Sequence, residues 1–224
     1  MKLICSIVLA FVINDLLLSQ DWANLNRYRE ANKTISEALG DRVVFMGNSI
    51  TEGWNEHHPE FFENNPTFIN RGIGGQTTPQ MLLRFRADVI NLNPKAVVIL
   101  AGTNDIAGNT GPMTLDEIMD NIKGMHELAK ANNIKVVVSS VLPAADYPWR
   151  PGLHPDKKIP ALNKMIKAYC EQHEVTYLDY FSAMTTGNNG LKDELTYDGV
   201  HPDRNGYLVM EPLVLKAIKQ ALKI

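Results

Sequence analysis

The sequence is short of cysteine: two, Cys5 and Cys170, in 224 residues. Cys5 lies inside a leader-like stretch, too near the start to read as a lipoprotein cysteine. A chain processed after residue 20 would keep one thiol and could close no internal disulfide, so its stability must come from a packed core. Net charge is small as well. A formal net charge of −3 gives no field able to gather a phosphate backbone or anionic lipid, which argues against nucleic acid as a partner. No uninterrupted apolar run reaches the roughly 20 residues that span a bilayer, so stable membrane insertion is not expected. There is no Cys/His cluster at ligand spacing, so no metal is called for, and no cofactor of any kind is expected. No Ser/Gly linker and no internal repeat divides the chain, and a single domain is expected over residues 21–224. The sequence carries no signal for oligomeric state.

Residues 1–20 differ from the rest: Lys2, an apolar run over 3–13, Asn14 and Asp15, a second apolar run over 16–18, then Ser19 and Gln20. Charge, apolar stretch and polar end are the parts of a secretory leader, although no A-x-A cleavage site is visible. The expectation is export to a periplasm or the cell exterior. The competing reading is a buried or frayed N-terminal helix.

Four short apolar runs, 43–46, 96–101, 134–141 and 175–178 running into Phe181, are rich in Val, Ile and Leu without alternation. Such runs read as strands covered on both faces, hence a parallel sheet. A shorter strand over 67–70 fits between the first two. Helix-period segments separate them: 22–39 ending at Gly40, 78–90, 114–131 opening on the capping-box pattern Thr114-x-x-Glu117, 156–172 and 205–222. The alternation predicts a three-layer α/β/α sandwich around a mostly parallel five-stranded sheet, with the binding crevice beyond the carboxyl ends of the strands.

Each distinctive segment falls just after a strand or just before the last helix. Gly47-Asn48-Ser49-Ile50-Thr51 places a serine on a strand-end turn, where a base could take its proton and backbone amides lie beside it; the alternative is that Ser49 caps a helix. Asn70-Arg71-Gly72-Ile73-Gly74-Gly75-Gln76-Thr77-Thr78 offers amides on a glycine loop, or simply a tight turn. Its spacing matches neither a dinucleotide fingerprint nor a P-loop. Gly102-Thr103-Asn104-Asp105 supplies an uncharged double donor in Asn104, or a turn-forming pair. In Asp198-Gly199-Val200-His201-Pro202 a carboxylate three residues from a histidine can hold Nδ1–H and leave Nε2 to act as base. The other histidines, His57, His58, His126, His154 and His173, lack an obvious carboxylate partner and are read as structural.

Taken in order, these motifs resemble those of the SGNH hydrolases, also called GDSL-like lipases or acylhydrolases, from Asp41 to the C-terminal helix. The resemblance implies a flavodoxin-like fold and a serine esterase with Ser49 as nucleophile, His201 as base and Asp198 as its orienting partner. The oxyanion donors it implies are the Ser49 amide, the Gly75 amide and the Asn104 side chain. Two departures stand out. The family's Asp before the serine is Asn48 here, so local hydrogen bonding must differ, and the acidic residue often found after the oxyanion glycine is Gln76, which alters how the site entrance is held.

Loops at the crevice carry Trp54 and the segment 143–155 with Tyr147, Trp149, Arg150 and His154. Aromatic faces beside polar groups suit a sugar, and no long apolar lid is visible. The expected activity is removal of a short acyl group, above all an O-acetyl group, from a carbohydrate, with Trp54, Tyr147 and Trp149 as substrate-binding residues; alternatively those aromatics pack the loops. Family members share this machinery across substrates, so a lysophospholipase, a thioesterase or an enzyme like platelet-activating-factor acetylhydrolase is the runner-up. A silent carbohydrate-binding protein is the remaining alternative.

Overall fold

The computed structural model describes residues 21–35 and 40–224. The leader-like residues 1–20 and the end of the predicted first helix, 36–39, lie outside them. Five strands form one sheet: β1 (Val43–Gly47), β2 (Phe68–Gly72), β3 (Ala96–Leu100), β4 (Lys135–Ser139) and β5 (Thr176–Leu178). The order is β2-β1-β3-β4-β5 and every pairing is parallel. All five residues of β1 and of β3 are buried, as expected of central strands packed on both faces.

Alternate side chains feed two cores. Val44, Met46, Val97, Ile99 and Val138 face the helices Thr78–Asp88, Leu115–Ala131 and Pro155–His173. Val43, Phe45, Val98, Leu100 and Val137 face the opposite layer, built from the aromatic residues after β1 and the helix Arg204–Leu222. The three-layer α/β/α sandwich is therefore as expected, with a fully parallel sheet. The capping box is formed: Thr114 Oγ1 accepts the Glu117 N–H at 3.2 Å and the Glu117 carboxylate accepts the Thr114 N–H at 2.7 Å.

Helix 22–39 needs correction. Among the described residues of that stretch, 22–28 lie mostly in turns and the helix is Arg29–Thr34. The Asp21 carboxylate accepts the N–H groups of Leu25 at 2.6 Å and Asn26 at 2.9 Å, closing a turn where the helix would have begun. Local side-chain bonds of this kind compete with the helical ladder.

β1 has β2 on one side and β3 on the other, so the chain reverses its winding there. In open α/β sheets the crevice at such a switch point is where ligands bind. The segments following β1, β2 and β3 all meet at it. Among the described residues no helix is long and apolar enough to cross a membrane.

Candidate active site

Ser49 is the first residue of the helix Ser49–Glu52, directly after β1. Asn48 does the capping: its Oδ1 accepts the Ile50 N–H at 3.0 Å. The serine hydroxyl is thus released from the role that the alternative reading gave it, and Oγ lies 3.0 Å from Nε2 of His201. On the other edge of the ring, Nδ1 is 2.7 Å from Asp198 Oδ2. Asp198 Oδ1 also accepts the N–H groups of Val200 at 2.9 Å and His201 at 2.7 Å, and Thr196 Oγ1 donates to the His201 carbonyl at 2.6 Å. The loop is braced from within, so the imidazole is pre-aimed. Burial pushes the Asp198 carboxyl up, but the bonds from the His201 backbone and ring and from Val200 outweigh it and hold the group below its ordinary value. An anionic Asp198 can stabilise the imidazolium that forms when His201 takes a proton.

The glycine loop after β2 and the turn after β3 close on the same place. Gly75 has φ of +75°, a conformation glycine adopts at little steric cost. Its carbonyl accepts from Asn109 Nδ2 at 3.1 Å. Among the described residues, the N–H groups of Ser49 and Gly75 donate to no protein acceptor. Asn104 Nδ2 uses one N–H on the Gln76 carbonyl, at 3.0 Å, and has a second to give. Gly72 is required for close approach: a Cβ there would stand 2.1 Å from the Glu52 backbone nitrogen. Asn70 locks this junction, donating to the Thr51 carbonyl at 2.6 Å and accepting the Gly72 N–H at 2.8 Å.

The profile of the GDSL-like lipase/acylhydrolase family matches residues 45–209, nearly three quarters of the chain and every one of these groups. The chain belongs to this family. It is 50% identical to a candidate acylhydrolase of known structure from Bacteroides fragilis, with a TM-score of 0.87 covering 91% of this chain and 99% of that one. Esterase TesA of Pseudomonas aeruginosa is 26% identical over 155 residues, 69% of each chain. The uncharacterised lipoprotein YqeF of Bacillus subtilis is 30% identical over 117 residues, 45% of this chain and 48% of that one; the match spans about half of YqeF.

For a GDSL-like acylhydrolase, two of the three expected substrate-binding aromatics are misplaced. Trp54 is 2% exposed, stacked on Phe61 with centroids 4.5 Å apart and packed against Phe45 and Tyr207. The aromatic layer under the sheet buries it, so it is a core residue. Tyr147 is fully buried, and its hydroxyl donates to the Thr103 carbonyl at 3.0 Å. It supports the site from below. Trp149 lies at the surface beside the site: 45% exposed, stacked on Tyr147 at 5.2 Å and 5.9 Å from the His201 ring. Arg150 pins its loop, donating to the carbonyls of Ala107 at 2.7 Å and Gly108 at 2.6 Å. The sequence reading missed Tyr197, 60% exposed and stacked on His201 with centroids 5.7 Å apart and planes 10° from parallel. Its position just before Asp198 was the available signal.

His58 also needs correction, for it does have carboxylate partners: Glu60 at 3.0 Å and Glu211 at 2.8 Å. Both ring nitrogens are engaged by acids, which leaves neither to serve a nucleophile. Glu211 comes from the last helix, a pairing that sequence distance hides. Arg84 was missed as well. It is fully buried and donates to Gln76 Oε1 at 2.5 Å, Asp88 at 3.0 Å, and the carbonyls of Gly47 at 3.0 Å and Arg71 at 2.8 Å. One guanidinium thus ties together the ends of β1 and β2, from which the nucleophile turn and the glycine loop depart. Among the described residues, Asn48 Nδ2 is buried without a protein acceptor.

Two clefts flank the site. One of about 540 Å³ runs past Asp198 and is lined by Ala145, Asp146, Asn188, Leu191 and Asp193, among others. The second, about 450 Å³, lies beside Gly74 and Gly75, with Trp22, Asn24, Gln80 and Asn109 in its walls.

Proposed function

We propose that the protein is a serine esterase that removes short acyl groups, foremost O-acetyl, from carbohydrate. The observation that carries the catalytic reading is the chain Ser49 Oγ, His201 Nε2, His201 Nδ1, Asp198 Oδ2, with links of 3.0 and 2.7 Å. His201 accepts the Ser49 proton as Oγ attacks the ester carbonyl carbon. The carbonyl oxygen gains negative charge and is received by the Ser49 and Gly75 N–H groups and Asn104 Nδ2. As the tetrahedral intermediate collapses, the C–O bond to the alcohol breaks and His201 delivers its proton to that oxygen. Water, deprotonated by the same nitrogen, attacks the acyl-enzyme; the C–Oγ bond breaks, the acid leaves and Ser49 regains its proton.

The surroundings support a neutral, hydroxylated substrate. Trp149 and Tyr197 expose two rings beside His201, faces on which a sugar can lie. The cleft past Asp198 holds two further carboxylates, Asp146 and Asp193, which repel the phosphates of a phospholipid or an acyl carrier. Among the described residues that line it, the apolar side chains are Ala145 and Leu191, short lining for a long acyl chain. Similarity to an esterase, TesA, supports the reaction class. The leader-like residues 1–20 support action outside the cytoplasm.

The test is acetate release from acetylated oligosaccharides and p-nitrophenyl esters of two to eight acyl carbons, with fluorophosphonate labelling. Ser49 should be labelled, Ser49→Ala should lose at least about three orders of magnitude in kcat, and rate should fall with chain length. Absence of labelling would make the protein a silent binder, and preference for eight carbons would move it to the lipid or thioester class.

A further inference from the structure

The family match begins at residue 45, yet residues 21–28, outside it, are bonded to the glycine loop on which the oxyanion reading depends. The Ala23 carbonyl accepts from Gln76 Nε2 at 2.7 Å, and the Trp22 carbonyl accepts from Gln80 Nε2 at 2.7 Å. Tyr28 donates its hydroxyl to the Gly72 carbonyl. Arg27 pairs with Glu52 at 3.1 Å, and the other oxygen of that carboxylate accepts the Gly74 N–H at 2.7 Å. The segment therefore holds the loop at Gly72 and Gln76 directly and at Gly74 through Glu52. Gly75, enclosed by these anchors, is the residue whose N–H has no protein acceptor among the described residues.

Gly74 and Gly75 are both exposed and have no Cβ through which packing could fix them. Glycine is the residue with most conformational freedom to lose, so the direction of the Gly75 N–H has to be imposed by bonds from outside the loop. The segment is itself ordered for this: the Asp21 carboxylate closes its turn, and Ala23 is buried, 1% exposed, against the body. Gln76 is the junction. Its Nε2 holds the segment while its Oε1 accepts from buried Arg84 at 2.5 Å. The family's acidic residue at this position could keep the second bond but could not donate the first.

We propose that residues 21–28 are a strap that belongs to the catalytic site, and that Gln76 and Tyr28 are positioning residues through which it aims the Gly75 N–H at the oxyanion. The inference rests on the esterase reading. An oxyanion donor acts only when it is already in place, and displacement by about 1 Å can lower turnover by around 100-fold. Loosening the strap should therefore reduce kcat and leave KM almost unchanged.

The test uses the full chain with p-nitrophenyl acetate, at least 20 °C below each variant's thermal midpoint, and with active sites counted by fluorophosphonate. Gln76→Glu keeps the acceptor for Arg84 and removes the donor to Ala23; Tyr28→Phe removes one hydroxyl. The double variant should lose fivefold or more in kcat, with KM within twofold and the active-site count unchanged. A kcat loss below fivefold, or an effect confined to KM or the thermal midpoint, would make the strap structural packing only and overturn the inference. Should the double variant not fold, Tyr28→Phe alone carries the test with a twofold threshold in kcat. Ser49→Ala, run alongside, keeps the two readings apart: if it retains activity the esterase reading falls, whereas an inactive Ser49→Ala with an unimpaired double variant removes the strap inference alone.

Discussion

Replacing Arg84 by Met retains much of the side chain's apolar length and removes its five N–H donors. Asp88, 1% exposed, would be left with the amide of Asn32, which donates to its other oxygen at 2.8 Å. The Gly47 carbonyl would keep the Ile73 N–H at 3.1 Å, while the Arg71 carbonyl and Gln76 Oε1 would lose their donor. Breaking a buried ion pair from one side costs about 3–5 kcal/mol, because the orphaned charge stays desolvated. For a chain of this size about 1 kcal/mol corresponds to ~2–4 °C, so the thermal midpoint should fall by ~6–20 °C. Circular dichroism melts with equilibrium urea unfolding measure it. The control is Arg84→Met with Asp88→Leu, which removes both charges and should recover a large part of the loss, since replacing a buried pair by apolar groups is often close to neutral. A single variant within about 1 kcal/mol of wild type, or a double variant no better than the single, would refute the claim that Arg84 and Asp88 form a buried ion pair whose one-sided loss leaves a desolvated charge.

Asn104→Ala should lower kcat by roughly 100- to 1,000-fold with little change in KM, as expected of a donor that acts in the transition state; a loss confined to KM would place Asn104 in substrate binding instead. Trp54→Ala should destabilise the fold by about 3–5 kcal/mol, as for a large core side chain, seen in urea unfolding. Trp149→Ala should leave the thermal midpoint unchanged and reduce kcat/KM on an acetylated oligosaccharide by ~10-fold, about one aromatic contact, sparing p-nitrophenyl acetate; equal losses on both substrates would mean that Trp149 packs its loop. Burial pushes the Cys170 thiol up to about 12, so in a chain from residue 21 its reaction with Ellman's reagent at pH 8 should be at least ~100-fold slower folded than in urea.

The sequence by itself determined the layers and the reacting groups. Unbroken runs such as 96–101 read as doubly covered strands because both faces must be apolar whatever packs on them. Asp198 and His201 were legible as a pair because three residues of turn suffice to join them, and Thr114 with Glu117 because a capping box closes within four residues. Tertiary structure decided everything that depended on a distant partner. Trp54 stood near the nucleophile in sequence but was taken into the core by Phe45, Phe61 and Tyr207. Arg84 read as one more polar position on an amphipathic helix, and its burial followed from the carbonyls at the ends of β1 and β2 to which its guanidinium donates. Residues 22–28 had helical spacing, but bonds to Asp21, Gln76 and Gly72 outweighed a weak propensity. Tyr197 became a neighbour of the site only when its loop folded back over His201. Local patterns record what the backbone and adjacent side chains require; exposure and long-range pairing are set by what the rest of the chain brings to the same place.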